Sequence, residues 1–314
     1  MEYSWLIIAF VAPVLWALCA VLDSYFVVNW YRDRYDAIVV SGVFQSLPLL
    51  LVLFGIVRFS PPPVEVFFLA VISGLVFITS FFCYFTALFN DNDSSLAQTF
   101  WAFSVPVVPF LAWLVFGEVL EFRHYVGVVL SFCGILALVL YQKTRRGVKV
   151  RHFALPMMGA TLLFSLSMIL SNKAYAEGDF LNVFFVFCAS AAIGSLIILL
   201  TGYRSRILVR LGEIVVLAKK NFFWFFVSEG LSLVAITTSQ RALSLTPSAT
   251  FIAMIEALVP VFIMLISLTL IWSYRITHHR QDHIMRRVLL KQLSGVRVKL
   301  FATFCLVIAI VFVS

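Results

Sequence analysis

Glu229 and Glu256 lie deep inside two long apolar runs, residues 222–243 and 248–272. At a helical rise of ~1.5 Å per residue they sit ~10 Å and ~12 Å from the run ends. A carboxylate at such depth in a membrane costs a few kcal/mol or more and is read by default as an ion or proton site. The chemistry to expect is binding of a cation or proton and its coupling to movement of a substrate. If the two helices are neighbours, the carboxylates fall ~8–10 Å apart along the axis and share one cavity. The bland alternative is a structural hydrogen bond to Ser or Thr on an adjoining helix.

Gln45, Gln98, Trp101 and Tyr84 are the next candidates for substrate or coupling-ion binding. Gln98 and Trp101 are three residues apart and so share a helix face. Tyr84, Asn90 and Asp91 stand where one run turns into the next. A few placed polar groups on an apolar lining are what a solute cavity needs. Ser165, Ser167, Ser171, Thr237, Thr238, Ser239 and Gln240 read as packing residues before cavity lining. Asp23 and Lys173 read as side chains snorkelling at run ends, and Glu118 as helix-end packing. His278, His279 and His283 lie among Arg280, Arg286 and Arg287, so a metal site is not expected there. No Gly-rich phosphate loop, Gly-x-Ser-x-Gly elbow or Ser/His/Asp set appears, and neither an enzyme nor a cofactor is expected.

The elements that must position these groups follow from composition. Of 314 residues, 62% are hydrophobic and 12% charged. That charged share is about half of what a soluble domain carries. The apolar residues come in blocks of about 20, the length of a membrane crossing. Continuous apolar runs exclude a β-barrel, whose strands alternate. Ten runs are read as spans, at 4–22, 37–57, 64–89, 94–116, 125–141, 153–175, 180–202, 222–243, 248–272 and 298–313. No basic segment precedes the first, so it is read as a span and not as a cleaved signal. Cys19, Cys83, Cys133, Cys188 and Cys305 all fall inside runs, with no metal or disulfide spacing.

Connections after the odd-numbered runs hold nineteen Lys and Arg; the other side holds four. By the positive-inside rule, loops 142–152, 203–221 and 273–297 are cytoplasmic, and ten spans put both termini outside. The net charge of +8 is thereby accounted for by orientation, and nucleic acid is not an expected partner. Residues 203–220 place Ile207, Leu208, Leu211, Ile214, Val215 and Leu217 on one helical face beside Arg206, Arg210, Lys219 and Lys220, as an amphipathic helix on the inner leaflet would. Residues 273–299 read similarly.

The halves echo one another. Phe85-Thr86-Ala87-Leu88, Ser95 and Pro106-Val107 in the first parallel Gln240-Arg241-Ala242-Leu243, Ser248-Ala249 and Pro260-Val261 in the second. Five spans per half force opposite orientations, the inverted repeat of secondary transporters. The fold expected is all-α, ten transmembrane helices in two inverted five-helix repeats, residues 1–146 and 147–314. Residues 87–138 then resemble the EamA-type transporters of the drug/metabolite transporter superfamily. The likeness rests on the Ala87 helix end, Ser95-Leu96-Ala97, Pro106-Val107, Gly117-Glu118 and Gly127…Gly134. The second half departs from the pattern: it lacks the Gly-Glu ending and the glycines of the last span. The family also usually keeps both termini in the cytoplasm.

The function expected is secondary transport or export of small organic solutes by alternating access, with proton or cation coupling at Glu256. The setting is the plasma (inner) membrane. The partners are a small-molecule substrate and membrane lipids, with a homo-oligomer left open. The alternatives are a non-transporting interaction or regulatory protein on the same fold, and a lipid-acting membrane enzyme.

Overall fold

In the computed structural model the described residues are 4–146, 150–204, 206–276, 289–290 and 296–312. His278, His279, His283 and most of loop 273–297 lie outside them. All regular structure among the described residues is helical. Eight segments are long and apolar enough to cross a membrane, as an all-α integral membrane protein requires. They correspond to eight of the ten runs. The runs at 125–141 and 298–313 form helices α7 (Phe122–Arg146) and α14 (Val296–Val311), which pack on each other.

Helix α1 (Ser4–Asn29) is longer than the run at 4–22, because Tyr25–Val28 continue the apolar surface past Asp23. The second run is not one helix. Pro48 interrupts it, giving α2 (Arg34–Gln45) and α3 (Leu49–Leu53), and the chain then leaves through Gly55 at φ 69°. Helix α4 (Val64–Asn90) is continuous. The fourth run is α5 (Ser94–Trp101) and α6 (Ser104–Phe116). Gly117, at φ 70°, ends α6, and the N–H groups of Gly117 and Glu118 turn back to the carbonyls of Trp113 and Ala112. Helices α8 (Val150–Glu177) and α9 (Phe180–Tyr203) are unbroken. The amphipathic helix expected at 203–220 is α10 (Ile207–Lys220), followed by α11 (Phe222–Leu245). The ninth run splits as the fourth does, into α12 (Ala249–Glu256) and α13 (Val259–Ile276).

The core joins the two halves. Helix α1 packs on α11 and α4 on α8, while α6 lies on α8 and α13 on α1. Helix α4 also crosses α9, where Gly74 lets the backbones meet: a Cβ there would stand 2.3 Å from the Phe187 carbonyl oxygen. Ser73 extends this seam with hydroxyl contacts to Ser167 and Ser171 at 3.0 and 2.7 Å, so those two serines on α8 are packing residues.

Helix α10 does more than rest on a surface. Arg210, 7% exposed, reaches Asp33 at 2.7 Å and Asp36 at 2.8 Å with one nitrogen and Glu213 at 2.8 Å with the other. Asp33 also caps α2, accepting from the N–H of Tyr35 and Asp36, and takes the Tyr203 hydroxyl. Arg32 adds a 2.8 Å pair to Glu213, and the hydrogen bond from Arg210 holds that carboxyl below its usual range. One guanidinium thus ties α10 to the start of α2 and the end of α9.

Two outcomes test this packing. Gly74→Leu should lower the thermal midpoint by an amount matching about 1–3 kcal/mol of overpacking, whereas Gly212→Ala, with open space around it, should leave the midpoint unchanged or raise it. Arg210→Met strands Asp36, 1% exposed. Its loss of stability should reach about 3–5 kcal/mol, the scale for a buried charge that has lost its partner, as read by thermal unfolding in detergent.

Candidate functional site

Prolines build the site. Pro106 has no N–H to offer the carbonyl of Ala102, four residues back, and Pro260 has none for Glu256. At the first break the Ala102 carbonyl takes the Val105 N–H at 3.1 Å instead; at the second the Leu258 N–H turns to Ile255 at 3.0 Å. Each span is thereby cut after an eight-residue half-helix, ending at Trp101 in one case and Glu256 in the other.

Both ends open on one cavity. It is lined by Asp23 and Trp16 of α1, Phe81 and Tyr84 of α4, Gln98 and Trp101 of α5, Phe164 of α8 and Glu256 of α12, with small residues between them. Its free volume is about 30 Å³, room for about one or two waters, so the cavity is closed in this conformation. Trp101 is its centre. The rings of Phe164, Tyr84 and Phe81 stand edge-on to it at centroid distances of 4.8, 5.3 and 5.5 Å. Tyr84 donates to Asp23 at 3.3 Å and is itself bonded by Gln98. Glu256 accepts from Ser239 of α11 at 2.6 Å.

Of the residues singled out from sequence, Tyr84, Gln98, Trp101 and Glu256 therefore meet. Glu229 and Gln45 do not line this cavity. Glu229 accepts from Ser41 of α2 at 3.0 Å. Ser239, which marks the level of Glu256, is ten residues further along α11, or ~15 Å by helical rise. The shared cavity expected for the two glutamates is not formed: each faces a different neighbour. Gln45, 3% exposed, lies one turn beyond Ser41 with both amide atoms unpartnered. Glu229, Ser41 and Gln45 make a second polar patch between α2 and α11. The Cys19 thiol on the Ser228 carbonyl, at 3.6 Å, joins α1 to the same stretch of α11.

Asn90 caps its helix end by donating to Thr86 and to His152, and Lys173 pairs with exposed Glu177 at 2.9 Å. Thr237 and Thr238 bond carbonyls of their own helix. Asp23 is the main correction. It is not a snorkelling end-group but a cavity residue inside α1. The signal was present: Trp16, Cys19 and Asp23 are spaced i, i+3, i+7 on one face, and the apolar run resumes after Asp23.

These features define a class: a polytopic helical membrane protein with a central polar cavity between broken helices. Residues 3–140 match the model of the EamA-like transporter family. The match covers Asp23, Tyr84, Gln98 and Trp101 but not Glu256. A solved structure titled "Crystal structure of protein" is 16% identical, with a TM-score of 0.62 over 100% of this chain and 97% of that one; the likeness is one of fold. No curated protein matches.

The prolines give a test of the site's construction. Pro260→Ala restores an N–H opposite the Glu256 carbonyl. The thermal midpoint should rise, toward the roughly 3 kcal/mol that an interior proline costs a helix. An unchanged midpoint would mean that packing alone, not Pro260, holds the break.

Proposed function

We propose that the protein is a secondary transporter of small organic solutes, working by alternating access about the Trp101 cavity, with Glu256 carrying a coupling proton or cation. The carrying observation is the cavity itself. It is an aromatic-walled cavity holding two carboxylates, drawn from both halves of the chain, and it sits where two spans are broken at matching prolines. Broken spans that meet near midplane are the usual construction of transporter sites.

The packing pattern supports ten spans in two inverted halves. Exchange of the halves carries the α1–α11 contact onto α8–α4 and the α13–α1 contact onto α6–α8. Spans five and ten on this reading are α7 and α14, outside the cavity. The first half would run to residue 146 and the second from residue 147. The sidedness of the loops, and so the outward termini, rests on the charge bias. On that bias the Arg210 cluster lies at the cytoplasmic face; the plasma (inner) membrane is part of the same proposal. A non-transporting role is less well supported, because it gives no reason for a buried carboxylate without a basic partner.

Reconstitution tests the reading. In proteoliposomes with a pH-sensitive dye inside, a panel of small ammonium, zwitterionic, neutral and carboxylate solutes should contain at least one that moves and shifts the internal pH. Glu256→Gln, of the same shape and still able to accept from Ser239, should abolish the pH shift. Absence of flux for every solute would count against transport, and an undiminished pH shift in Glu256→Gln would remove that residue from coupling.

A further inference from the structure

The sign of the cavity is uniform. Its lining has two carboxylates, Asp23 and Glu256, and no Lys, Arg or His. Among the described residues no basic group pairs with either carboxylate. At each break a helix C-terminus, at Trp101 or Glu256, and the next helix's N-terminus, at Ser104 or Val259, border the cavity together, so the helix dipoles offset one another and the side chains set its sign. The rest of the wall is aromatic, Trp16, Phe81, Tyr84 and Phe164 around Trp101. Carboxylates that have left water need a proton or a counter-charge; the cavity lining supplies no basic side chain, so a counter-charge there comes with a ligand. Aromatic faces around a negative site favour a cation with an apolar body, because the ring quadrupole attracts positive charge.

We propose that the cavity selects organic cations, solutes with a compact ammonium-type charge on an apolar or aromatic body, and that Asp23 is the residue that receives the charge. The inference deepens the transport reading and relies on it for the identity of the site.

The two carboxylates are not equivalent. Glu256 already takes a 2.6 Å bond from Ser239 and is the last residue of its half-helix. It suits a proton. Asp23 sits in mid-helix, has a single long contact at 3.3 Å from Tyr84, and stands on the same face of α1 as Trp16. It is free to turn toward a ligand, with Gln98 steadying Tyr84 behind it. With room for only one or two waters in this state, entry requires the half-helices to part, and the proline breaks are the natural hinges.

The test uses purified full-length protein and three probes of one shape class. They are benzyltrimethylammonium, its uncharged carbon isostere neopentylbenzene, and phenylacetate, each followed by ligand-induced thermal stabilisation and calorimetry. The cation should bind more tightly than either of the others. Asp23→Asn should weaken it by about tenfold or more, the scale of a desolvated charge contact, and Trp101→Leu should also weaken it. Equal binding of the neutral isostere, preference for phenylacetate, or undiminished cation binding in Asp23→Asn would overturn the inference. Should Asp23→Asn fail to fold, the comparison of the three probes on the unaltered protein still decides. Flux of neutral or anionic solutes without cation binding would sink this inference and leave transport standing; cation binding without flux of any solute would do the reverse.

Discussion

Inside a bilayer every backbone N–H and C=O must find a partner, and besides the break at Pro48 this protein interrupts its helices at two places around the cavity, where that rule is hardest to meet. A break facing lipid would leave carbonyls stranded at several kcal/mol each. Pro106 and Pro260 impose such breaks, so the spans they interrupt have to be buried by others. Both are. Helix α6 lies against α8, α13 against α1, and α12 is buried along its whole length. The arrangement of the bundle follows from that need. The unbroken helices α1, α4, α8 and α11 pack around the breaks, while α6 and α13 keep an outer face with Phe110, Leu114, Leu265 and Leu268 exposed, and the space left between the two breaks is the cavity. A break that must be hidden from lipid is also a place where polar side chains can gather, which is how one constraint yields both architecture and site.

Charge is handled in opposite ways along the molecule. Around Arg210 the carboxylates of Asp33, Asp36 and Glu213 are matched by guanidinium groups, a tyrosine hydroxyl and backbone N–H groups at the start of α2. That cluster sets two guanidinium groups, Arg210 and Arg32, against three carboxylates and fixes three elements together. The central carboxylates have only hydroxyls: Ser239 for Glu256, Ser41 for Glu229, Tyr84 for Asp23. A hydroxyl donates one hydrogen bond but no charge, so it orients a carboxylate without neutralising it. Pairing suits a joint that must hold. Hydroxyl-only solvation suits a group whose ionic partner comes and goes.

The chain announced most of this fold and part of its site. Pro106 and Pro260 were read only as marks of the repeat and not as breaks, whereas runs of about 20 apolar residues marked the spans and their order, because that signal is local. Tyr84, Gln98, Trp101 and Glu256 were found for the same reason: polar or amphipathic groups in apolar helices are visible one at a time. What could not be read was direction around each helix axis. Glu229 and Glu256 have similar depths, yet one faces α2 and the other the cavity, a matter of packing and not of sequence position. Asp23 was misplaced by a boundary error. An acidic residue was taken to end a span that in fact continues to Asn29, since Tyr25, Phe26 and Val27 beyond it pack against the core.

That boundary matters to how the site is understood. With α1 ending at residue 22, the cavity would hold one carboxylate and would resemble any polar pocket among aromatics. With α1 running through to Asn29, Asp23 is carried inside, onto the same wall as Trp16, and the cavity holds two negative groups contributed by different halves of the chain. Neither carboxylate keeps its charge cheaply in a medium of low dielectric without an ionic partner. Their charge state must then change together with whatever positive species enters or leaves. Occupancy and protonation become linked through electrostatics alone, with no need for a dedicated relay between them. The hinge prolines next to Ala102 and Glu256 are placed where that change in charge would be felt first.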